Sequence, residues 1–420
     1  MFQPLLVLSY PSKEQLKKFE LIFSNVYFPE DNYTTGRKPH SKSALLRAVL
    51  YKNLRGLPTL ADLSRELKDN PQIAQLCGFN SFPSKERFSA FLRTTPNQLF
   101  QSIRVNLVKK LIQLKQISTN FISCDSCPVF APVKENNLRT YVNNRYDKTK
   151  ILKGDRDSKL GAYTIYTDQK KPDFFWGYRN HIVNDAISEL PIAEITKPNT
   201  TGDSTVFIPQ FTTVKQTFKS KIDAVIADAA YDSYPNIEFV VKELEAKPII
   251  AKNPRGGCTI EFELSSSGQP ICIAGIPMLS RGIFYDKEQK RWRHKFICRI
   301  KGSKKFAQKI PLCPWNHRKF IDNRYGCCVN LRVDVDQSIR QSIDYGSESF
   351  KKLYNLRTSS ERVFSRLLTF CMQYPTVKGL NAVSNFCTIA HITILIIALT
   401  AVKTGHKDKI RFVKSLFPYL

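Results

Sequence analysis

The chain has 420 residues, 42% of them hydrophobic and 24% charged, which allows two or three domains with a sizeable core and excludes a disordered or fibrous protein. Sixty-four Lys and Arg against 36 Asp and Glu give a net charge of +28, so a polyanionic partner, nucleic acid first among them, is expected over a small-molecule substrate. Eleven cysteines, an odd number, with no cationic-apolar leader at the start, fit a reducing cytoplasm better than a disulfide scaffold.

Residues 14 to about 115 read as helical. Leu45, Leu46, Val49 and Leu50 recur at helical spacing, and Gly56-Leu57-Pro58-Thr59 makes a turn with Thr59 as N-cap for residues 60–67. Asn70-Pro71 is a second turn, and Pro83-Ser84 opens a helix carrying Phe88 and Phe91. Short helices and tight turns suit a DNA-binding or dimer-forming bundle with a helix-turn-helix, and suit any all-helical cap equally well. From Thr119 the period changes to two. Residues 120–125, 160–166, 176–183, 192–196, 224–228 and 248–251 read as strands, and 203–216 and 234–245 as helices. Strands followed by alternating helix and strand predict a mixed α/β sheet. Residues 254 to about 345 then read as a β-rich insertion, opened by Pro254-Arg255-Gly256-Gly257.

Within the insertion, residues 287–305 are strongly basic. Trp292, His294, Phe296, Cys298 and Ile300 alternate with Arg291, Arg293, Lys295 and Arg299, the pattern of a strand with one apolar and one cationic face. A cationic face suits phosphate tracking; a solvated edge strand would look alike. Cys298, Cys313, His317, Cys327 and Cys328 lack regular C-x2-C pairs, which weighs against zinc. Cys124-x2-Cys127 straddles Asp125 and reads as coincidence. Residues 383–402 are long and apolar enough for a membrane span, but Ser384, Asn385, Thr388, His391, Thr393 and Thr400 make a buried core helix the better reading.

Tyr354, Arg357 and Glu361, spaced Y-x2-R-x3-E, fall on one face of a predicted helix, opposite Leu353, Leu356, Val363, Phe364 and Leu367. Asp125 and Asp228 each fall where a predicted strand ends. Two such aspartates and a helical glutamate are the makings of a two-metal phosphoryl-transfer site. Asp223 and Asp232 are the nearest rivals of Asp228, and Asp232 reads as a helix cap.

These residues resemble the DDE transposases of bacterial insertion sequences. Asp125 matches the first acid, residues 227–232 (Ala-Asp-Ala-Ala-Tyr-Asp) look like the second-aspartate motif, and Tyr354, Arg357 and Glu361 match the third-acid signature. The lysine that usually follows that glutamate by seven residues is Leu368 here, and the nearest base on the helix is Arg366. Trp176-Gly177-Tyr178-Arg179-Asn180-His181 is similar to the family's aromatic-Gly-Tyr-Lys-x-His segment, with arginine at the lysine position; His181 there is either structural or turned to the active site. The resemblance implies an RNase H-like mixed sheet flanked by helices (118–253 and 346–405), an N-terminal all-helical domain (1–117), the β-rich insertion (254–345) and a C-terminal tail (406–420). It implies cleavage and strand transfer at element ends, with two Mg2+ or Mn2+ ions. Asp125 would lie between the ions, with Asp228 and Glu361 holding one each. Tyr354, Arg357, Arg291, Arg293, Lys295 and Arg299 would contact double-stranded DNA, in a homodimer away from any membrane. A nuclease that cleaves without joining, and a silent DNA-binding descendant, are the rival readings.

Overall fold

The computed structural model describes residues 12–30, 39–163, 173–253, 262–334 and 336–412. The chain is mixed α/β and divides into two compact units, Met1–Ile226 with Asn355–Leu420, and Ala227–Tyr354. These boundaries differ from the five segments expected from sequence: the N-terminal helices pack in one unit with the sheet, and the second unit begins well before the expected insertion. The turn expected at residues 254–257 lies outside the described residues.

The first unit opens with α1 (Lys13–Phe23), α2 (Lys42–Arg55), α3 (Leu60–Asp69), α4 (Pro71–Cys77), α5 (Lys85–Thr94) and α6 (Asn97–Gln113). Local chemistry sets these ends. Gly56 takes a left-handed φ of 64° and stops α2, Thr59 and Asp62 form a reciprocal capping box on α3, and Pro71 begins α4, where no amide hydrogen is needed. The sheet follows, with β1 (Phe121–Phe130), β2 (Lys159–Tyr163), β3 (Asp173–Asp185), β4 (Leu190–Pro198), α7 (Asp203–Phe218) and β5 (Ala224–Ala227). β3 is central. It runs antiparallel to β1 on one edge, from Ile122↔Asp185 to Phe130↔Gly177, and antiparallel to β4 and β2 on the other. A side chain at Gly177 would put its Cβ 2.1 Å from the Val129 carbonyl oxygen, so this strand pair closes only around glycine. β5 lies parallel to β1 on its far edge, from Phe121↔Ala224 to Ser123↔Ile226.

The second unit holds α8 (Tyr234–Lys242), β6 (Lys247–Ile250), β7 (Phe262–Leu264), β8 (Pro270–Cys272), β9 (Leu279–Asp286), β10 (Arg291–Ile297), α9 (Arg299–Gly302), α10 (Lys304–Lys309), α11 (Arg318–Asp322), β11 (Cys328–Arg332), α12 (Gln337–Gln341) and α13 (Glu348–Tyr354). β11, β10 and β9 form an antiparallel sheet, and β7 pairs with β8. The chain then returns to the first unit through a 3-10 turn (Asn355–Arg357) into α14 (Thr358–Thr369) and α15 (Leu380–Lys403).

α15 has the length and apolarity of a membrane span, yet 94% of its most apolar window is buried inside the protein. Its polar residues are spent on partners within the first unit. Asn385 donates to the Leu92 and Thr95 carbonyls at 2.8 and 2.7 Å, Thr388 donates to Glu194 at 2.7 Å, and Thr393 accepts from Asn53 at 3.0 Å. His391 Nε2 lies 2.8 Å from Asn180 Oδ1, whose own amide donates to Glu194 and Thr196. Fully buried polar groups need such partners, and here they lock α15 onto β3, β4 and the N-terminal helices.

Candidate active site

Asp125 stands in the middle of β1. The strand continues to Phe130 against β3, whereas its parallel partner is matched in register only as far as Ser123↔Ile226. The expected strand end at Asp125 is thus the end of two-sided pairing. Side-chain alternation puts Ser123 and Asp125 on the same face of the sheet as their register partners Asn184 and Ile182. α14 packs on that face.

The arginine of the Y-x2-R-x3-E motif joins two of the three expected acids. Arg357 Nη2 is 2.7 Å from Glu361 Oε1, and its Nη1 is 3.9 Å from Asp125 Oδ2. Asp125 Oδ1 also accepts the Ser126 amide at 2.7 Å. Asp125 is 19% exposed and Glu361 53%, so the cluster lies at the surface, open to a ligand. Glu361 sits in the first turn of α14, where the helix dipole favours negative charge.

What fixes α14 here is a buried hydrogen-bonded set that sequence reading missed. Ser123, Asn184, Ser359 and Ser360 are all 0% exposed. Ser360 Oγ donates to Asn184 Oδ1 at 2.7 Å, which leaves Ser123 Oγ to donate to Ser360 across 2.8 Å. Asn184 Nδ2 donates to Ser359 Oγ at 3.0 Å. β1, β3 and α14 are thereby pinned one residue from Glu361. The one-helix expectation for Tyr354, Arg357 and Glu361 is corrected: the 3-10 turn divides α13 from α14, and α14 buries Ser359, Ser360, Val363 and Leu367. Val363 and Leu367 are buried as expected of the apolar stripe, and Ser359 and Ser360 join them on the inward face without any apolar signal.

Asp228 and Tyr354 belong to the second unit. Asp228 directly follows β5 and caps its own turn, accepting the Ala230 amide at 2.9 Å. Tyr354 closes α13 with its ring stacked on Phe350 at 6.0 Å. The rivals have structural employment. Asp223 accepts from Asn120 at 2.8 Å. Asp232 is not the α8 cap, a place Ser233 takes; its buried carboxylate binds Arg340 and accepts the Asn253 amide. His181 is turned from the site by alternation: it shares the opposite face with Arg179 and Ser126, and its Nδ1 is 3.2 Å from Asp203. Burial alone would raise the Asp203 carboxyl, but His181, Arg179 and Ser126 outweigh it and hold it below the usual aspartate range. Arg366 cannot replace the missing lysine freely. It is committed to Glu189 and the Arg411 carbonyl, and burial pushes its pKa down to about 10. Cys124 and Cys127 are buried free thiols.

The basic strand is β10, and it ends at Ile297. Arg299 lies in α9 with its guanidinium over the Phe306 ring, off the strand face expected for it. The β9–β10 pairing shifts register between His294 and Phe296, with the extra residue on β9, while β10 stays in continuous register with β11; Phe296 and Ile297 are both buried and Trp292 is 56% exposed. Arg293 pairs with Asp286 at 2.8 Å, and Lys295 sits over the Tyr325 ring. The β9–β10 hairpin therefore presents arginines together with exposed Ile283, Phe284, Tyr285 and Trp292 instead of two separate faces.

Known proteins place this chain. A family model described as "Transposase domain (DUF772)" matches residues 14–94, and one described as "Transposase DDE domain" matches residues 146–259. These two matches support a DDE transposase of insertion-sequence type. The DDE domain supports an enzyme of DNA transposition in general, and that family generally works with divalent metal ions. The second match contains Asp228 but neither Asp125 nor Glu361, which were found through the sequence motifs and the geometry above. No curated protein matches. Among solved structures, a piggyBac transposase synaptic complex with hairpin DNA aligns with 97% of this chain and 78% of its own, at 10% identity and a TM-score of 0.37.

The donor chemistry here fits a hard divalent cation, since Asp125 and Glu361 offer carboxylate oxygens. Among the described residues no three acids, histidines or cysteines are already grouped to hold an ion. Between Asp125 and Glu361 the positive charge is supplied by Arg357.

Proposed function

We propose that the chain cuts DNA at the ends of an insertion element and joins the freed 3'-hydroxyl to target DNA, with Asp125, Asp228 and Glu361 as the catalytic acids on an RNase H-like sheet. The observation that carries this is the Asp125–Arg357–Glu361 cluster on a sheet whose parallel strand β5 leads straight into Asp228. The β1–β3–β4 antiparallel order with β5 parallel to β1 supports the RNase H-like reading.

Asp125, Asp228 and Glu361 are the residues that would hold two divalent ions, Mg2+ or Mn2+. When bound, such ions activate the attacking oxygen and stabilise the leaving one in phosphodiester chemistry. Arg357 neutralises Asp125 and Glu361 in the free protein and turns its planar fork to a DNA phosphate when substrate arrives, with Tyr354 beside it. The β9–β10 hairpin, through Arg291, Arg293 and Lys295, tracks the DNA backbone, drawn by a chain of net charge +28. Two element ends must be cut in step, which calls for a homodimer on DNA.

Asp125→Ala, Asp228→Ala and Glu361→Ala are each expected to abolish metal-dependent cleavage of an end-containing duplex while leaving binding in a mobility-shift assay near wild type. Substantial cleavage by Glu361→Ala in Mg2+ would remove the third acid from this scheme. A strand-transfer assay separates this reading from a nuclease that cleaves without joining, and absence of any metal-dependent cleavage by the wild-type chain would leave only the DNA-binding descendant.

A further inference from the structure

The β-rich part of the second unit has a small apolar cluster of Met278, Phe296, Cys327, Val329 and Leu331, and α9, α10, α11 and α12 have only four, six, five and five residues. Helices that short do not persist without tertiary anchors, and small units with thin cores commonly rely on a staple. One small cavity here is lined by Cys272, Cys298, Cys313, His317 and Cys327, with room for about one water-sized occupant. The five donors come from β8, the end of β10, the loop before α11 and the start of β11, so one centre would tie these four segments together.

We propose that Cys272, Cys298, Cys313 and Cys327 hold one structural zinc ion in this cavity. Zinc favours a closed tetrahedral thiolate site of this kind, and a reducing compartment leaves thiols free to form it. Cys327 is the hub. It lines the same cavity as Cys272, Cys298 and Cys313. His317 Nδ1 lies 3.5 Å from Cys327 Sγ and accepts the Lys319 amide at the start of α11. Arg299 lines the cavity, and its charge offsets that of a four-thiolate centre. Among the described residues no three such donors are already at metal-holding separation, so loading draws the four sulfurs inward as their protons leave to solvent. Irregular spacing concealed the set: Cys272 lies far upstream and joins the others only through the fold.

The test is the metal content of the purified full-length chain, measured by mass spectrometry after desalting under reducing conditions. One zinc per chain is expected, with loss of that zinc in Cys272→Ser, Cys298→Ser, Cys313→Ser and Cys327→Ser but not in Cys77→Ser or His317→Ala. Should the variants fail to fold, cobalt substitution of the wild-type chain still decides: thiolate-to-metal charge transfer and an intense tetrahedral visible band are expected. Wild-type protein that takes up neither zinc nor cobalt overturns the proposal, and zinc that survives Cys272→Ser but not His317→Ala overturns the four-thiol set. None of these readouts depends on DNA cleavage.

Discussion

Ser360→Ala should separate the fold from its catalytic use. The hydroxyl is fully buried, donates to Asn184 Oδ1 at 2.7 Å and accepts from Ser123 across 2.8 Å. Its removal strands one buried acceptor and one buried donor, each costing about 1–3 kcal/mol, so the coupled pair should cost roughly 2–4 kcal/mol. At roughly 2–4 °C per kcal/mol, the midpoint of thermal unfolding should fall by about 4–16 °C. Removing the whole set, with Ser123→Ala, Ser359→Ala, Ser360→Ala and Asn184→Leu together, leaves no stranded partner and should cost less than the single change. Both proteins, assayed for metal-dependent cleavage well below their midpoints, should show a kcat reduced at least about tenfold with little change in KM for DNA, because Glu361 follows Ser360 directly and relies on this anchor. Wild-type unfolding of Ser360→Ala would refute the energetic argument. A lowered midpoint with wild-type kcat would show that the set holds the fold without placing Glu361.

Replacing Arg291, Arg293 and Lys295 together should weaken specific and random duplexes alike and shrink the salt slope by about 0.9 for each phosphate no longer neutralised, whereas Arg299→Ala, off the hairpin, should leave the slope unchanged; an unchanged slope in the triple variant would return β10 to the role of a solvated edge. His391 is buried and, through burial first and then Arg104, held down to about 3 from its ordinary 6.5. Between those values the unfolded chain binds a proton that the native chain does not, so stability falls as pH falls from 6.5 towards 3, by up to about 1.4 kcal/mol per pH unit. Urea midpoints at pH 7 and pH 5 should show a drop of about 2 kcal/mol in the wild type that His391→Gln reduces, and equal drops in both would assign the pH dependence elsewhere. Mixing wild-type with Asp228→Ala protein at fixed total concentration should lower paired-end products as the square of the wild-type fraction, and a linear fall with monomeric mass on DNA would exclude the dimer.

The parts of this fold that were legible in the sequence are those where one residue type has one local use. Thr59 as N-cap and the alternation through β3 and β4 signalled their elements directly, and the polar residues spaced along α15 marked it as a core helix, whose most apolar window is 94% buried; Asn70-Pro71, expected as a turn, opens α4. Legibility failed where the meaning of a residue depends on a partner far away in the chain. The expected end of β1 at Asp125 gives way to a strand that runs through Pro128 to Phe130. The Ala131 amide donates to Trp176 on β3 while the Phe130 amide points the other way, to Gln373, so the proline nitrogen, on the Phe130 side, faces an edge that β5 does not reach and costs no ladder hydrogen bond. The same rule hid the site's supports. Ser123, Ser359 and Ser360 read as surface residues until Asn184 is brought to them, and Arg366 reads as a free cation until Glu189 claims it. The acids of the proposed site are written locally, because motifs encode donor chemistry; the groups that hold them in place are written in pairs, and only the register of β1 and β3 with α14 shows which serine answers which amide.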